Sequence, residues 1–417
     1  MNSLRTLSIP LLTAILLGIP VFWAFPEEIS EWRSIGIVLG WAGCGLLLAS
    51  LLLMVRETWL AERLGGLERM YAWHHVLGTL AYVVLLAHPL ALAADNLAAS
   101  PAMAWALLSP WAQGWPLWSG WLALLCLMLG MAAAFAKRLP YPLWRWLHGL
   151  LGVGILLACV HLWLLGLGST FFFVLLLSIF FIGWRLIRVE GSLAARPYLV
   201  SQVQKVAAGI VEISLRPLAA PISARHGQFV LVGFDGGGRF EGCGETHPFT
   251  LSAIDTDGHL RISVKALGDC TQHLQSVEIG VAARVQGGFG DFLLDRTATP
   301  QLWLAGGIGI TPFLAVLRDE PVTAPTTLIY LYRQDADAAY LDEIRTLAAG
   351  QSRLNLQLQR GDTDAIGLAA LLPDAATLAG QSVYLCGPPG LVNAALGILA
   401  QRGMPAARIH FERFDFR

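Results

Sequence analysis

Six apolar runs, each long enough to cross about 30 Å of hydrocarbon, are confined to roughly the first 190 of this chain's 417 residues. They lie at roughly 5 to 25, 35 to 55, 71 to 93, 118 to 136, 144 to 166 and 170 to 188. Such segments have few options. With no water in a bilayer to satisfy backbone N–H and C=O groups, they must cross it as helices. The first run has Arg5 ahead of it, as a signal peptide would. Its length, Pro10 and Pro20, and the lack of a small-x-small cleavage site favour a span instead. From about Gly191 the texture changes to the alternation of ordinary β and α/β sequence, so a membrane half precedes a water-facing half. A content of 55% hydrophobic and 14% charged residues, with a mean hydropathy of +0.59, is too apolar for an ordinary soluble protein.

Basic residues set the expected orientation. Arg5, then Arg56, Arg63 and Arg69, then Lys137, Arg138 and Arg145, then Arg185 and Arg188 all fall on one side of a six-span path, and only Arg33 falls on the other. The positive-inside rule makes that side cytoplasmic, together with the whole C-terminal half, in a plasma or bacterial inner membrane. Trp105, Trp111, Trp115, Trp118 and Trp121 then gather at the outer interface, where aromatic belts belong. A net charge of -1 and the lack of a basic stripe argue against a nucleic-acid partner. The six cysteines (Cys44, Cys126, Cys159, Cys243, Cys270, Cys386) form no C-x-x-C, and half of them sit in the apolar runs. Neither a zinc site nor a disulfide framework is expected, and the water-facing half is expected in a reducing cytosol.

Ionisable side chains inside a bilayer are rare and mark function. His74 and His88 share one run, and His148 and His161 share another. At 1.5 Å per residue the two gaps are about 21 and about 20 Å, so each span offers one imidazole near each leaflet. The third and fifth spans run the same way, which pairs His74 with His148 at the inner depth and His88 with His161 at the outer. Two stacked bis-histidine haems fit this pattern. Fourteen residues return to nearly the same helix face, whereas thirteen land about 140° away, so either a bend or tightening near Gly149, Gly152 and Gly154 or a tilted approach to the haem plane has to correct the second span. His75 rivals His74, because its distance to His88 matches the gap in the other span; His74 is preferred. Interhelical hydrogen bonding, or a proton relay in a transporter, is the competing use of such histidines.

In the water-facing half, short strands and glycines from about 193 to 298 predict a small β-barrel. That stretch contains Gly227-Gln228-Phe229, His247-Pro248-Phe249-Thr250-Leu251-Ser252 and Gly268-Asp269-Cys270-Thr271. From 299 to 417, strands at Leu302 to Ala305, Thr327 to Leu331 and Ser382 to Cys386 alternate with helical stretches and predict a nucleotide-binding α/β domain. Strand Leu302 to Ala305 runs into Gly306-Gly307-Ile308-Gly309-Ile310-Thr311-Pro312 and a helix. Glycines let a backbone approach a pyrophosphate, and the helix start offers free N–H groups. Strand Val383 to Cys386 delivers Gly387-Pro388-Pro389-Gly390 to the same carboxyl edge. The fold class expected is therefore a multidomain membrane protein: a six-helix transmembrane haem-binding bundle over 1–190, a barrel over 193–298 and an α/β domain over 299–417.

The order of an HPFT segment, a G-x-x-T segment, GGIGITP, CGPP and an aromatic C-terminal end resembles the ferredoxin-NADP reductase superfamily. Preceded by six spans with two histidine pairs, the whole looks like a bacterial member of the NADPH oxidase and ferric reductase family. The resemblance implies FAD, two haems b, and NADPH or NADH as cofactors. Electrons would pass from the nucleotide to FAD, to the inner haem, to the outer haem and then to an extracytoplasmic acceptor, because flavin takes a hydride's two electrons and releases them singly. It places His247, Pro248, Phe249, Thr250 and Ser252 along the flavin, with Thr250 on the isoalloxazine, and Gly268 and Thr271 at the FAD pyrophosphate. Gly307, Gly309, Thr311 and Pro312 match the pyridine-nucleotide loop, and Cys386, Gly387 and Pro388 match the segment beside the nicotinamide. Thr250, Cys386 and Phe414 are the candidate catalytic residues, with Glu412 the terminal acid and Phe416 a possible substitute for the stacking aromatic.

Two departures from the family pattern stand out. His75 occupies a position where the family commonly has arginine, which leaves Arg69 and Arg145 as candidates to meet the inner haem propionates. No calcium-binding EF-hand loops are present, so activity without a calcium switch is expected. Arg333 or Arg360 could receive a 2′-phosphate, with NADPH or NADH left open. For the acceptor, oxygen giving superoxide is preferred to a ferric chelate, with no obligatory protein partner. A haem b carrier linked to quinol or to a partner protein is the remaining alternative.

Overall fold

A computed structural model describes residues 8–9, 11–16, 18–19, 29–136, 139–294, 299–361 and 364–413, and the chain divides into two compact units, Met1–Leu193 and Ala194–Arg417. In the first unit, the described residues include five helices long and apolar enough to cross a membrane. They are α1 (Glu31–Leu52), α2 (Leu67–Leu97), α3 (Trp115–Phe135), α4 (Tyr141–Leu164) and α5 (Gly168–Trp184), the last continued by a wider turn at Arg185–Glu190. About half of the expected span at 5 to 25 lies outside the described residues, and the described residues carry the other five. Local chemistry sets the ends. The Ser30 hydroxyl caps α1 by accepting from Arg33 N at 3.3 Å, and Gly66 at φ 102° breaks the chain before α2.

Glycines bring the helices together in two antiparallel hairpins. Along α1 and α2, Gly36 faces Leu92, Gly40 faces the His88 ring and Gly43 faces Leu85. Along α3 and α4, Gly120 faces the His161 ring, Gly130 faces Leu151, and Gly154 lies against the Ala123 carbonyl. Without a hydrophobic drive between helices in lipid, such small residues permit the close backbone approach on which packing depends. Helix α4 runs unbroken through Gly149, Gly152 and Gly154.

The second unit begins with a closed six-stranded barrel in the order β1-β2-β5-β4-β3-β6. Its strands are β1 (Arg196–Ala207), β2 (Ile210–Pro217), β3 (Phe229–Phe234), β4 (Thr246–Ile254), β5 (Leu260–Lys265) and β6 (Ala282–Phe289). Alternation fills its interior with Tyr198, Val200, Ile213, Val230, Val232, Phe249, Leu251 and Ile262. A five-stranded parallel sheet follows, in the order β11-β10-β7-β8-β9. Its strands are β7 (Gln301–Gly306), β8 (Thr326–Tyr332), β9 (Leu354–Arg360), β10 (Ser382–Gly387) and β11 (Ile409–Arg413). Helix α6 (Thr311–Asp319) follows β7, α7 (Leu341–Ala349) follows β8, and α8 (Pro389–Gln401) follows β10. The strand order reverses between β7 and β10, the switch point at which sheets of this kind bind ligands.

One expectation is overturned. Cys243 and Cys270 form a disulfide with Cα atoms 5.3 Å apart, joining the segment before β4 to the short helix Asp269–His273. Twenty-seven residues separate the two cysteines, so no local spacing announces the pair. Cys44, Cys126, Cys159 and Cys386 form no disulfide.

Candidate functional site

Backbone carbonyls hold three of the four membrane histidines. His88 Nδ1 lies 2.6 Å from the Gly36 carbonyl, and His161 Nδ1 lies 2.6 Å from the Pro116 carbonyl. His74 Nδ1 lies 3.0 Å from the Ser50 carbonyl and 2.7 Å from the Ser50 hydroxyl. A carbonyl can only accept, so in each ring Nδ1 carries the proton and the Nε2 lone pair is left for another partner. Metal-binding histidines are oriented in this way. The two outer rings are matched further. A Cβ at Gly40 would sit 3.0 Å from His88 ring atoms, and one at Gly120 would sit 3.0 Å from those of His161. In both hairpins, therefore, a carbonyl and a glycine four residues later make the seat for one imidazole.

The His74 and His148 ring centres are 6.2 Å apart. The planes of these two rings cross at 69°. His148 stacks on Trp144 at 4.8 Å, and its buried Nδ1 has no hydrogen-bond partner. His75 is exposed, with its ring 5.8 Å from that of His74. Of the arginines singled out above, Arg69 folds against Gly65 and Arg145 lies 3.7 Å from Glu190. Arg56 was not anticipated; its guanidinium stands 5.5 Å from the Tyr71 ring centre, three residues before His74.

In the second unit the glycine loops meet as the switch-point topology requires. Gly307 has φ +55° and open space where a Cβ would be. A Cβ at Gly309 would run into the Cys386 carbonyl, and one at Gly387 would lie 3.2 Å from Gly306 Cα. These ends of β7 and β10 can approach only as glycines. The Thr311 hydroxyl donates to the Ile308 carbonyl at 3.0 Å and braces the loop, and Pro312 occupies the first turn of α6. Pro388 caps the start of α8. Cys386 is buried and stands in register with Ala305 on one side and Glu412 on the other. Glu412, also buried, reaches the barrel: a Cβ at Gly290 would lie 3.3 Å from its Oε1 and 3.4 Å from the Phe229 ring. Phe229 pairs with Thr250 across β3 and β4. Thr250, Glu412 and Cys386 are thus linked through Phe229 and Gly290, while Phe414 and Phe416 lie outside the described residues.

Other positions differ from expectation. Phe249 is packed in the barrel core, since alternation along β4 turns it away from Thr250; only its backbone can line a ligand. Ser252 is fully buried and donates its hydroxyl to Glu212 at 2.7 Å, so it is committed to the protein. Pro248 sits in the β3–β4 ladder opposite Leu231. His247 is the second residue of β4, 3.5 Å from Glu245; burial lowers its pKa, and Glu245 only partly offsets that. The Thr271 hydroxyl accepts from Gly268 N at 2.9 Å and caps the helix tied by the disulfide. Arg333 is exposed just past β8, and Arg360, at the end of β9, pairs with Asp335 at 3.2 Å. Among the described residues no group of three or more His, Cys, Asp or Glu side chains could hold a metal ion, which leaves the paired histidines.

Residues 39–159 match a family model described as a ferric reductase like transmembrane component, and residues 303–396 match an oxidoreductase NAD-binding domain. A ferredoxin–NAD(P)(+) reductase component of naphthalene 1,2-dioxygenase and salicylate 5-hydroxylase systems from Ralstonia sp is 27% identical over 216 residues, covering 47% of this chain and 62% of that protein. Phenoxybenzoate dioxygenase subunit beta from Ectopseudomonas oleovorans is 30% identical over 222 residues, 51% of this chain and 66% of that protein. The chain therefore spans less than two thirds of either relative. Among solved structures, the flavohem-like FAD/NAD-binding domain of a Vibrio cholerae nitric oxide dioxygenase has a TM-score of 0.45 at 23% identity, covering 53% of this chain and 99% of that one.

The chain thus carries a segment similar to a ferric reductase like transmembrane component ahead of a segment similar to an oxidoreductase NAD-binding domain.

Proposed function

We propose that the protein moves electrons from NAD(P)H, through FAD and two haems b, to an acceptor on the far side of the membrane, with oxygen as that acceptor and superoxide as the product. The observation that carries this reading is the histidine geometry: Nδ1 atoms held by carbonyls at His74, His88 and His161, and a 6.2 Å spacing between His74 and His148. The residues fit the group. His74 and His148 would hold the inner haem, and His88 and His161 the outer, with Nε2 the ligating nitrogen of His74, His88 and His161. Flavin and haem, when bound, supply the conversion of a two-electron hydride donor into single electrons.

The chain's own residues bind and orient. Gly307, Gly309 and the start of α6 would take the nucleotide's phosphates, and Arg333 a 2′-phosphate. Gly268 and Thr271 would lie at the FAD pyrophosphate, with His247 towards the rest of that cofactor. Thr250 would hydrogen-bond the flavin ring, while Cys386, Gly387 and Pro388 would flank the nicotinamide and Phe414 would stack on the flavin. The 1–190, 193–298 and 299–417 division and a cytoplasmic second unit complete the reading. The first rests on the change of sequence texture and the second on the one-sided arginines.

A ferric-chelate reductase is the second reading, favoured by the description of the family model over 39–159. One experiment separates them. Purified protein given NADPH should develop split reduced b-type haem bands without quinone or partner protein, and should reduce cytochrome c in a superoxide-dismutase-sensitive reaction that stops under argon. Ferric-chelate reduction undiminished under argon would replace oxygen with iron as the acceptor, and a preparation colourless in the Soret region would overturn the whole proposal.

A further inference from the structure

Where the barrel meets the parallel sheet, one guanidinium ties four elements together. Arg318, seven residues into α6 from Thr311, donates through Nη1 to Glu212 of β2 at 2.7 Å and to the Ser252 carbonyl of β4 at 3.1 Å. Its Nε and Nη2 donate to both oxygens of Glu343 on α7, at 2.7 and 3.0 Å. Glu212 also accepts from the Ser252 hydroxyl at 2.7 Å and from the Tyr340 hydroxyl at 2.9 Å. The Tyr340 ring lies 5.0 Å beneath the guanidinium, and its hydroxyl is 2.6 Å from Ser263 on β5.

The Glu212 arm is nearly sealed, with the Arg318 and Glu212 side chains 10% and 6% exposed, while Glu343 opens to solvent at 40%. Burial pushes the Glu212 carboxyl up, but the hydrogen bonds and charge of Arg318, with Ser252 and Tyr340, outweigh it and hold the pKa below the ordinary carboxylate value. A buried ion pair is weak evidence for stability, since well-packed apolar residues of similar volume serve as well or better. What such a pair supplies is fixed geometry, and here it fixes two elements that bear ligand loops. Helix α6 begins at the glycine loop, and Ser252 stands two residues from Thr250 on the strand read as the flavin strand.

We propose that Arg318, clamped between Glu212 and Glu343, is a positioning residue that sets the register of the nicotinamide over the flavin. It touches neither ring; it acts through α6 and β4. The inference rests on the reading of this unit as the flavin and nicotinamide site. Hydride transfer demands reacting atoms ~3–3.5 Å apart, and a misplacement of ~1 Å can cost ~100-fold in rate.

The test is anaerobic stopped-flow reduction of the flavin in the full-length holoprotein, with nucleotide concentration varied to separate the limiting rate from Kd. The long-wavelength charge-transfer absorbance of the nicotinamide–flavin pair is followed alongside. Arg318→Lys keeps the charge but cannot fork between two carboxylates, and Glu212→Gln keeps the shape. Both should lower the limiting rate roughly 10- to 100-fold with Kd within about twofold, and both should weaken the charge-transfer band. Arg318→Met should be slower than Arg318→Lys, while Arg345→Ala, which breaks only an exposed pair with Asp342, should change nothing. If the Arg318 variants fail to fold, Glu212→Gln and Tyr340→Phe carry the test.

A limiting rate and charge-transfer band like the wild type's, with or without lower thermal stability, would make the network merely structural and sink the proposal. Loss of affinity without loss of limiting rate would also sink it, because the effect would then be on binding. A wild-type protein that carries no flavin, or whose flavin neither nucleotide reduces, overturns the functional reading and this inference with it.

Discussion

Breaking the Cys243–Cys270 bond should soften the second unit by an amount that follows from chain connectivity. The bond closes a loop of 27 residues, and the loop-entropy relation gives about −12 cal/mol/K, or about 3.5 kcal/mol at 25 °C. For a folding unit of this size each kcal/mol moves the midpoint by about 2–4 °C, so reduction, or Cys243→Ala with Cys270→Ala, should lower it by roughly 7–14 °C. The assay is thermal unfolding of the full-length protein in detergent, followed by the flavin and tryptophan signals with and without reductant. Flavin should be released earlier in the scan, because Cys270 sits between Asp269 and Thr271 in the loop assigned to its pyrophosphate. Alkylation in denaturant supplies the independent check. Without reductant only Cys44, Cys126, Cys159 and Cys386 should label. If all six cysteines label, or if the double alanine variant melts with the wild type, the bond is not part of the folded protein. The proposed orientation puts this unit in a reducing compartment, where disulfides are uncommon and usually redox-active; the prediction is therefore made for purified, air-oxidised protein.

Other outcomes follow from single side chains. Gly40→Val would drive a side chain into the His88 ring, so pyridine haemochrome analysis should give about one haem per chain instead of about two. An unchanged ratio would refute the seat described for His88. Glu212 has a folded-state pKa below its unfolded value, so its contribution is complete above the unfolded value and is lost as pH falls through the folded one. Below about pH 4.5 the wild-type midpoint should therefore fall more steeply than that of Glu212→Gln; parallel pH profiles would refute the linkage. Arg333→Ala should raise KM for NADPH roughly tenfold, the scale of one charge-assisted hydrogen bond, and leave NADH unmoved. Equal changes with both nucleotides would remove Arg333 from the 2′-phosphate.

The histidines were legible in the sequence because an imidazole inside an apolar run has no ordinary reason to be there. What holds them was not. Gly36 and Pro116 act through their carbonyls and Gly40 and Gly120 through a missing Cβ, and neither contribution leaves a mark that separates these residues from other glycines and prolines in membrane helices. The glycine loops after β7 and β10 were legible for the opposite reason, since there the lack of a side chain is itself the signal. Ser252 shows how a motif misleads. It shares the β4 face of Thr250, so it reads as a ligand residue, yet its hydroxyl belongs to Glu212, forty residues earlier in the chain. Phe249 could have been placed correctly, because a period of two puts it opposite Thr250 and into the barrel core. The disulfide and the Arg318 network join residues far apart in sequence, and no local pattern encodes them.

Both halves of the molecule solve the same problem with the backbone. An imidazole must present one nitrogen and a pyrophosphate must be met by N–H groups; a flexible polar side chain would do either less rigidly, losing rotamer entropy each time. Carbonyls on α1 and α3 and the turn after β7 are fixed by the helices and strands that carry them. The most sensitive positions should therefore be glycines rather than charged residues. A new Cβ at Gly309 runs into the Cys386 carbonyl, which cannot move without shifting β10, and one at Gly120 presses on the His161 ring and turns it from its carbonyl. His148 is the exception among the four histidines. Its buried Nδ1 has no acceptor and its ring is held by stacking on Trp144, so its orientation depends on an aromatic side chain where the other three depend on main chain.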